Sequence, residues 1–218
     1  MDNIYGGDLI DYYNYFINFL RPTSLPKKFR EMLEKYGDYE INEIIIGRDP
    51  ISKGIQKLLD LVSLGKVTQG LKNTHFDDLF HLYLILYVKH PATKNEQLIH
   101  LRLEKNHVLS MKEYTGFPKQ HLIVNMYGQK ILLAEFIANG KALLGDDFAR
   151  YDAIYNNCQV FINSLLKANG LSSASTEKFI MQDIGQVLSA PAYGLSRVIT
   201  DIAHIFGHLT GGKRKIRK

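Results

Sequence analysis

Between residues 80 and 104 the apolar periodicity changes from helical to extended, and that change limits the fold more than any other feature. Phe80 to Val88 is an aromatic and apolar run without a turn residue, which suits a buried strand. His90-Pro91-Ala92-Thr93-Lys94-Asn95 supplies a turn. From Leu98 the chain alternates, with Ile99, Leu101 and Leu103 on one face and His100, Arg102 and Glu104 on the other. The two runs make an antiparallel pair. His107 to Met111 and His121 to Met126 offer two more short strands.

Helical spacing flanks this sheet on both sides. The first seventy residues read as mainly helical: Leu9, Tyr12, Tyr13, Phe16, Phe19 and Leu20 share a face. Pro26 opens a helix over Lys27 to Tyr36 and Gly37 ends it. Gly47-Arg48-Asp49-Pro50 reads as a turn, followed by a third stripe at Ile51, Ile55, Leu58, Leu59 and Val62. After the strands, a helix is expected from Gln129 to Asn139, closed by Gly140. Asn156 or Asn157 then caps a helix whose stripe is Phe161, Ile162, Leu165 and Leu166, closed at Gly170. Two more helices follow, Thr176 to Ser189 and about Tyr193 to Leu209.

The expected class is therefore α+β, a small antiparallel sheet packed against the helix that Cys158 opens, with helical N-terminal and C-terminal extensions. The expected divisions are a helical extension over 1–70, a central domain over 71–170, amphipathic helices over 171–210 and a basic tail over 211–218.

Composition removes several classes of function. With 45% hydrophobic and 22% charged residues, the 218-residue chain is neither disordered nor fibrous in character. One cysteine permits no internal disulfide. The N-terminal sequence lacks the basic flank and apolar core of a signal peptide, and no apolar run reaches the ~18–20 residues that span a bilayer. A cytoplasmic location is expected, in a host cytoplasm or a virion if the chain is viral. No cofactor and no metal are expected. The His204/His208 pair has zinc spacing, but no acidic residue lies between them and no cysteine is near, so with Arg197 and Asp201 it reads as the polar stripe of an amphipathic helix; the Gly65-Lys66 and Gly212-Lys213 stretches lack a phosphate-loop pattern.

The net charge of +5 belongs to one end. Lys213, Arg214, Lys215, Arg217 and Lys218 are basic, and without those five the remaining 22 Lys and Arg balance 22 Asp and Glu. An amphipathic helix followed by such a cluster suits an anionic membrane surface, and phosphates of nucleic acid less well.

A thiol is a useful nucleophile when ionised, and a helix N-terminus favours the thiolate. Cys158 lies in the first turn of a capped helix. Such a thiol needs a histidine within reach and a polar group to orient that histidine. His81 and His100 lie on the two paired strands, and cross-strand proximity would bring their rings together. Glu104, on the face of His100, is the alternative third residue, its simpler role being a partner for Arg102.

The segments Phe80-His81-Leu82-Tyr83, Leu98-Ile99-His100-Leu101 and Asn157-Cys158-Gln159-Val160-Phe161-Ile162-Asn163 come in the order histidine, histidine, cysteine. Over residues 75–170 this order resembles the circularly permuted NlpC-type papain-like proteins, among them the lecithin:retinol acyltransferase and phospholipase A/acyltransferase group. The resemblance implies a permuted papain-like fold with Cys158 as nucleophile, His81 as general base and His100 as the orienting residue. Gln159-Val160 stands where the acyltransferases carry Glu-His, and Leu82 where they carry tryptophan. Those departures favour the wider superfamily, including members from poxviruses and other large DNA viruses whose cysteine also lies in Asn-Cys-Gln. The expected function is a thiol-dependent hydrolase or acyltransferase acting on an ester or amide, of lipid or peptide type, through an acyl-enzyme. The alternative is a catalytically inactive papain-like scaffold, a viral structural or membrane-associated protein.

Overall fold

A computed structural model gives the fold and describes residues 25–50, 80–91, 98–106, 108–151 and 156–180. Its longest strand pairing begins in a stretch where helix and turn were expected. Glu40–Pro50 forms strand β1, which runs antiparallel to Phe80–Lys89, strand β2, with Ile44 opposite Leu86 and Asp49 opposite His81. Three consecutive β-branched residues, Ile44, Ile45 and Ile46, favour the extended form because branched side chains pack well on a pleated surface. The expected turn at Gly47 to Pro50 is instead the end of this strand.

Strand β2 pairs on its other side with β3, Ile99–Lys105, and β3 pairs with β4, Leu109–Glu113. Strand β5, Gln120–Ile123, and the two-residue β6, Ile131–Leu132, both pair with β1. The spatial order is β4-β3-β2-β1-β5, all antiparallel, with β6 added beside β1. The chain is thus mixed α+β around a small antiparallel sheet, and β1, from the segment expected to be helical, lies inside that sheet.

Strand alternation divides the sheet into two faces. Ile44, Ile46, Leu82, Leu84, Leu86, Leu101 and Leu103 face the helices in the main core, while Ile45, Tyr83 and Ile85 form a smaller cluster behind it. The main core takes Phe29 and Leu33 from α1, Lys27–Tyr36, and Phe136 and Ile137 from α2, Leu133–Leu144. Phe161, Ile162, Leu165 and Leu166 come from α3, Cys158–Ala168. A short 3-10 turn, Gly145–Phe148, places Phe148 between Phe29 and Phe161, with ring centroids 6.4 and 5.4 Å away. Helix α4 begins at Ala174 and is described to Ile180.

Helix α2 starts and ends later than the sequence suggests. Gly140 does not close it; it lies buried within the helix, where an added Cβ would overlap Leu165 of α3. Closure falls to Gly145, whose φ of 58° suits glycine. The absent side chain at 140 lets the two helices approach closely. Asn169, the C-cap of α3, fastens the same contact by donating to the carbonyls of Phe136 and Leu165 at 3.1 and 2.8 Å. Helix α3 is therefore held at its far end as well as by its stripe.

Among the described residues no helix is long and apolar enough to cross a membrane. The expected helices over 9–20, 51–62 and 193–209, the His204/His208 pair, His75, His107 and the basic tail lie outside the described residues. So does most of the helix expected from Thr176 to Ser189.

Gly47 is opposite Tyr83 across the β1–β2 pair, and a Cβ at 47 would come within 3.0 Å of the Tyr83 ring and of Pro118. Replacing it by valine should overpack this junction, at a cost of about 1–3 kcal/mol. Thermal unfolding of Gly47→Val checks this. A melting temperature equal to that of the parent protein would show that the ring moves aside freely.

Candidate active site

The first turn of α3 is built by its cap. Asn157 has extended backbone angles and its side-chain oxygen accepts from the N–H groups of Gln159 and Val160, at 3.0 and 3.1 Å. Its carbonyl accepts from the Phe161 N–H. These bonds satisfy three of the helix's first donors. The N–H of Cys158 itself is turned to the Cys158 sulfur, and the Leu82 N–H of β2 also donates to that sulfur. Cys158 is buried, 8% exposed, beside Leu82 near the start of β2.

His81 is the residue before Leu82 on β2, and its ring hydrogen-bonds the Cys158 sulfur. Its Nε2 lies 3.1 Å from Glu104 Oε2, which leaves Nδ1 for the sulfur. Glu104 is on β3, directly opposite Tyr83, and His81 is its diagonal neighbour. Thus the structure brings His81 and Cys158 together and supplies Glu104 as the third member.

His100 is not brought to this site. The β2–β3 register sets it opposite Tyr87, six residues along the strand from His81, and its ring packs on Tyr87 with centroids 4.2 Å apart. At roughly 3.3 Å per residue, about 20 Å of strand separates the two histidines. The place beside the His81 ring where His100 was expected is taken by Glu104, because a hairpin pairs residues far from its turn with residues far from its turn.

Glu104 has more partners than His81. The Arg102 guanidinium contacts Oε2 through Nε and through a terminal nitrogen, both at 2.9 Å. Ser110 Oγ and Lys112 Nζ both lie 3.4 Å from Oε1. Arg102 in turn lies over the Tyr83 ring at 3.5 Å, and Tyr83 donates to Asp49 at 3.1 Å. Burial alone would raise the Glu104 carboxyl, but the His81 hydrogen bond and the Arg102 charge outweigh it and hold the pKa at about 2.

Burial alone would lower the pKa of His81. The hydrogen bonds to Cys158 and Glu104, and the charges of both, reverse that and raise it to about 9. For Cys158, burial pushes the thiol up, yet the His81 hydrogen bond and charge, with the two backbone N–H groups, bring it below its ordinary value. The described arrangement is therefore a cysteine whose ionised form is favoured by a histidine that a carboxylate holds from behind.

One member escaped every expectation. Lys105, at the end of β3, is fully buried on the helix side of the sheet and bonds the loop that leads into Cys158. A lysine at a strand end reads as surface, and nothing in the pattern of the sequence marks it as interior. His90 and His121 sit elsewhere: His90 lies 3.6 Å from Asp38, and His121 stacks edgewise on Phe117. Among the described residues no group of three or more histidine, cysteine or acidic side chains is placed to hold a metal. Comparisons with protein-family models, curated proteins and solved structures return no match to this chain, so the site stands on its own geometry.

The folded-state pKa of Glu104 lies below its ordinary 4.5, so its ionised form adds stability that is complete above 4.5 and lost as pH falls through about 2. That loss is on the order of 3 kcal/mol from this one buried carboxylate. Urea unfolding at pH 7, 4.5 and 3 should show Glu104→Gln less stable than the parent at pH 7. The variant should also lose less between pH 4.5 and 3. Parallel declines would remove Glu104 as the responsible group.

Proposed function

We propose that the chain is a thiol-dependent hydrolase or acyltransferase with a permuted papain-like site made of Cys158, His81 and Glu104. The observation that carries this reading is the continuous contact from sulfur to imidazole to carboxylate, at the capped start of a helix. Histidine precedes cysteine in the chain, the histidine lies on a strand, its partner lies on the next strand and the cysteine opens a helix. This is the order expected of the NlpC-type resemblance, with a carboxylate in the third place.

In the proposed reaction the Cys158 thiolate attacks an ester or amide carbonyl. The carbonyl π-bond opens onto oxygen, and the Cys158 N–H, which meets the sulfur in the resting site, would turn to hold that oxygen. The imidazolium of His81 then gives its proton to the departing alcohol or amine, leaving an acyl-enzyme. Neutral His81 next takes a proton from water or an acceptor hydroxyl as that group attacks the thioester. Expulsion of the thiolate restores the starting pair. Glu104 keeps the ring turned to the sulfur and stabilises its charged form, as the third residue of such triads does.

A lipid substrate is part of the proposal because the helical apolar spacing expected over 193–209, followed by a cluster of five cations, suits an anionic membrane surface. That surface would present the ester, while the Cys158 site performs the chemistry.

The single cysteine makes the chemical test clean. Iodoacetamide should alkylate Cys158 at a rate that stays high well below pH 8, where an ordinary thiol is largely protonated. His81→Ala should return the profile to that of an ordinary thiol. An activated acyl ester should give a burst of product equal to one per chain, absent in Cys158→Ala and slowed about 10²–10⁴-fold in His81→Ala. An ordinary thiol profile in the parent protein, or a burst that survives Cys158→Ala, would overturn the reading.

A further inference from the structure

Lys105 and Glu104 are adjacent on β3, so alternation sends them to opposite faces of the sheet. Glu104 goes to the face of Arg102 and His81, and Lys105 to the face of Leu101 and Leu103, beneath α3. The Lys105 side chain is wholly buried, with its ammonium 5.4 Å from the centre of the Phe161 ring. It donates to the carbonyl of Asp147, at 2.6 Å, and to Asn156 Oδ1, at 2.7 Å. Both acceptors are neutral. An ammonium hydrogen-bonded in the interior to neutral oxygens is a costly choice where leucine or methionine would pack, since a buried cation loses its hydration.

The acceptors explain the choice. Asn156 is two residues before Cys158, and its Nδ2 donates to the carbonyls of Asp147 and Arg150 at 2.7 and 2.9 Å. Ammonium, Asn156 amide and Asp147 carbonyl close a small ring of hydrogen bonds. That ring ties the end of β3 to the 3-10 turn and to the chain entering α3. Asn157, the next residue, is the cap that sets the first turn of the helix.

We infer that Lys105 is a positioning residue for Cys158: its buried ammonium clamps Asn156 against the end of β3 and so holds the chain entering α3 where the Cys158 sulfur meets His81. The inference rests on the thiol reading above and adds to it a residue outside the Cys158, His81 and Glu104 set. The ionisable groups that act on the ammonium are the Asp147 carboxylate, from the 3-10 turn, and the Cys158 sulfur, from α3. The sulfur is acted on by His81 from β2, and its charge is felt in turn by Lys105 from β3. Burial lowers Lys105 and the charges of Asp147 and Cys158 oppose that, leaving it at about 8, so it is charged at neutral pH. The His81 ring and the Lys105 ammonium both interact favourably with an ionised sulfur.

The test uses the full chain with Lys105→Met and Lys105→Gln. Methionine fills the volume without a charge or a donor. Glutamine keeps an N–H for Asn156 Oδ1 without a charge. Even in Lys105→Met the Asp147 carbonyl retains its bond from Asn156 Nδ2, so one acceptor at most is left bare. Iodoacetamide alkylation of Cys158 is followed from pH 5 to 10, with thermal unfolding alongside.

Both variants should fold, and both should alkylate about tenfold more slowly than the parent at pH 6, which is one pKa unit of thiol. Rates should converge at pH 10, where every thiol is ionised. A residue that only filled space would leave the low-pH rate unchanged, so coincident profiles in a folded variant overturn the inference while leaving the thiol reading intact. Loss of the folded state in both variants would also overturn it, in favour of a structural lysine. An ordinary thiol profile in the parent protein is a separate outcome and removes the thiol reading with it.

Discussion

The carboxylate of Glu104, 8% exposed, is stable as an anion only because three cations face it: Arg102, His81 and Lys112. Everything at the site depends on that balance. Without the carboxylate, the Arg102 guanidinium would lie over Tyr83 with Asp49, 3.6 Å away, as its remaining anion, and His81 would face the thiol with no group to fix its ring. Breaking one partner of a buried charge pair costs more than the pair contributes, because the survivor is left desolvated. The network behind His81 thus serves as a rigid support for a ring whose other nitrogen must meet sulfur.

That support reaches back through the sheet. Tyr83 carries Arg102 on its ring face, sits over Gly47 of β1 and donates to Asp49. The strand that supplies both Gly47 and Asp49 is the strand between β2 and β5. On the opposite face, Lys105 and Asn156 hold the approach to α3, and Gly140 with Asn169 fixes the far end of that helix on α2. Cys158 is where these two sets of constraints meet.

The parts of this arrangement that local pattern determines were legible. Asn157 as a cap, the stripe on α3 and the alternation of β3 follow from side-chain period and capping chemistry, which a window of ten residues contains. Strand β1 was hidden because Gly47-Arg48-Asp49-Pro50 carries turn residues; the signal for a strand was the Ile44-Ile45-Ile46 run just before it. The choice between His100 and Glu104 depended on register. A hairpin turn over His90 to Asn95 already sets position 81 opposite position 104, near enough to the observed diagonal, and leaves His100 beside the turn. Lys105 could not be read at all. Its burial comes from Asp147 and Asn156, which are 42 and 51 residues away in the chain.

The charge state of His81 is the most direct test of the whole arrangement. A nitrogen-15 NMR titration of its imidazole should find both ring nitrogens protonated at pH 7.5, with the proton lost near pH 9. In Cys158→Ala the same ring should titrate lower, since one of the two groups that hold its proton is gone. A parent His81 that loses its proton near pH 6.5, the ordinary value for an imidazole, would contradict an imidazolium held between thiolate and carboxylate.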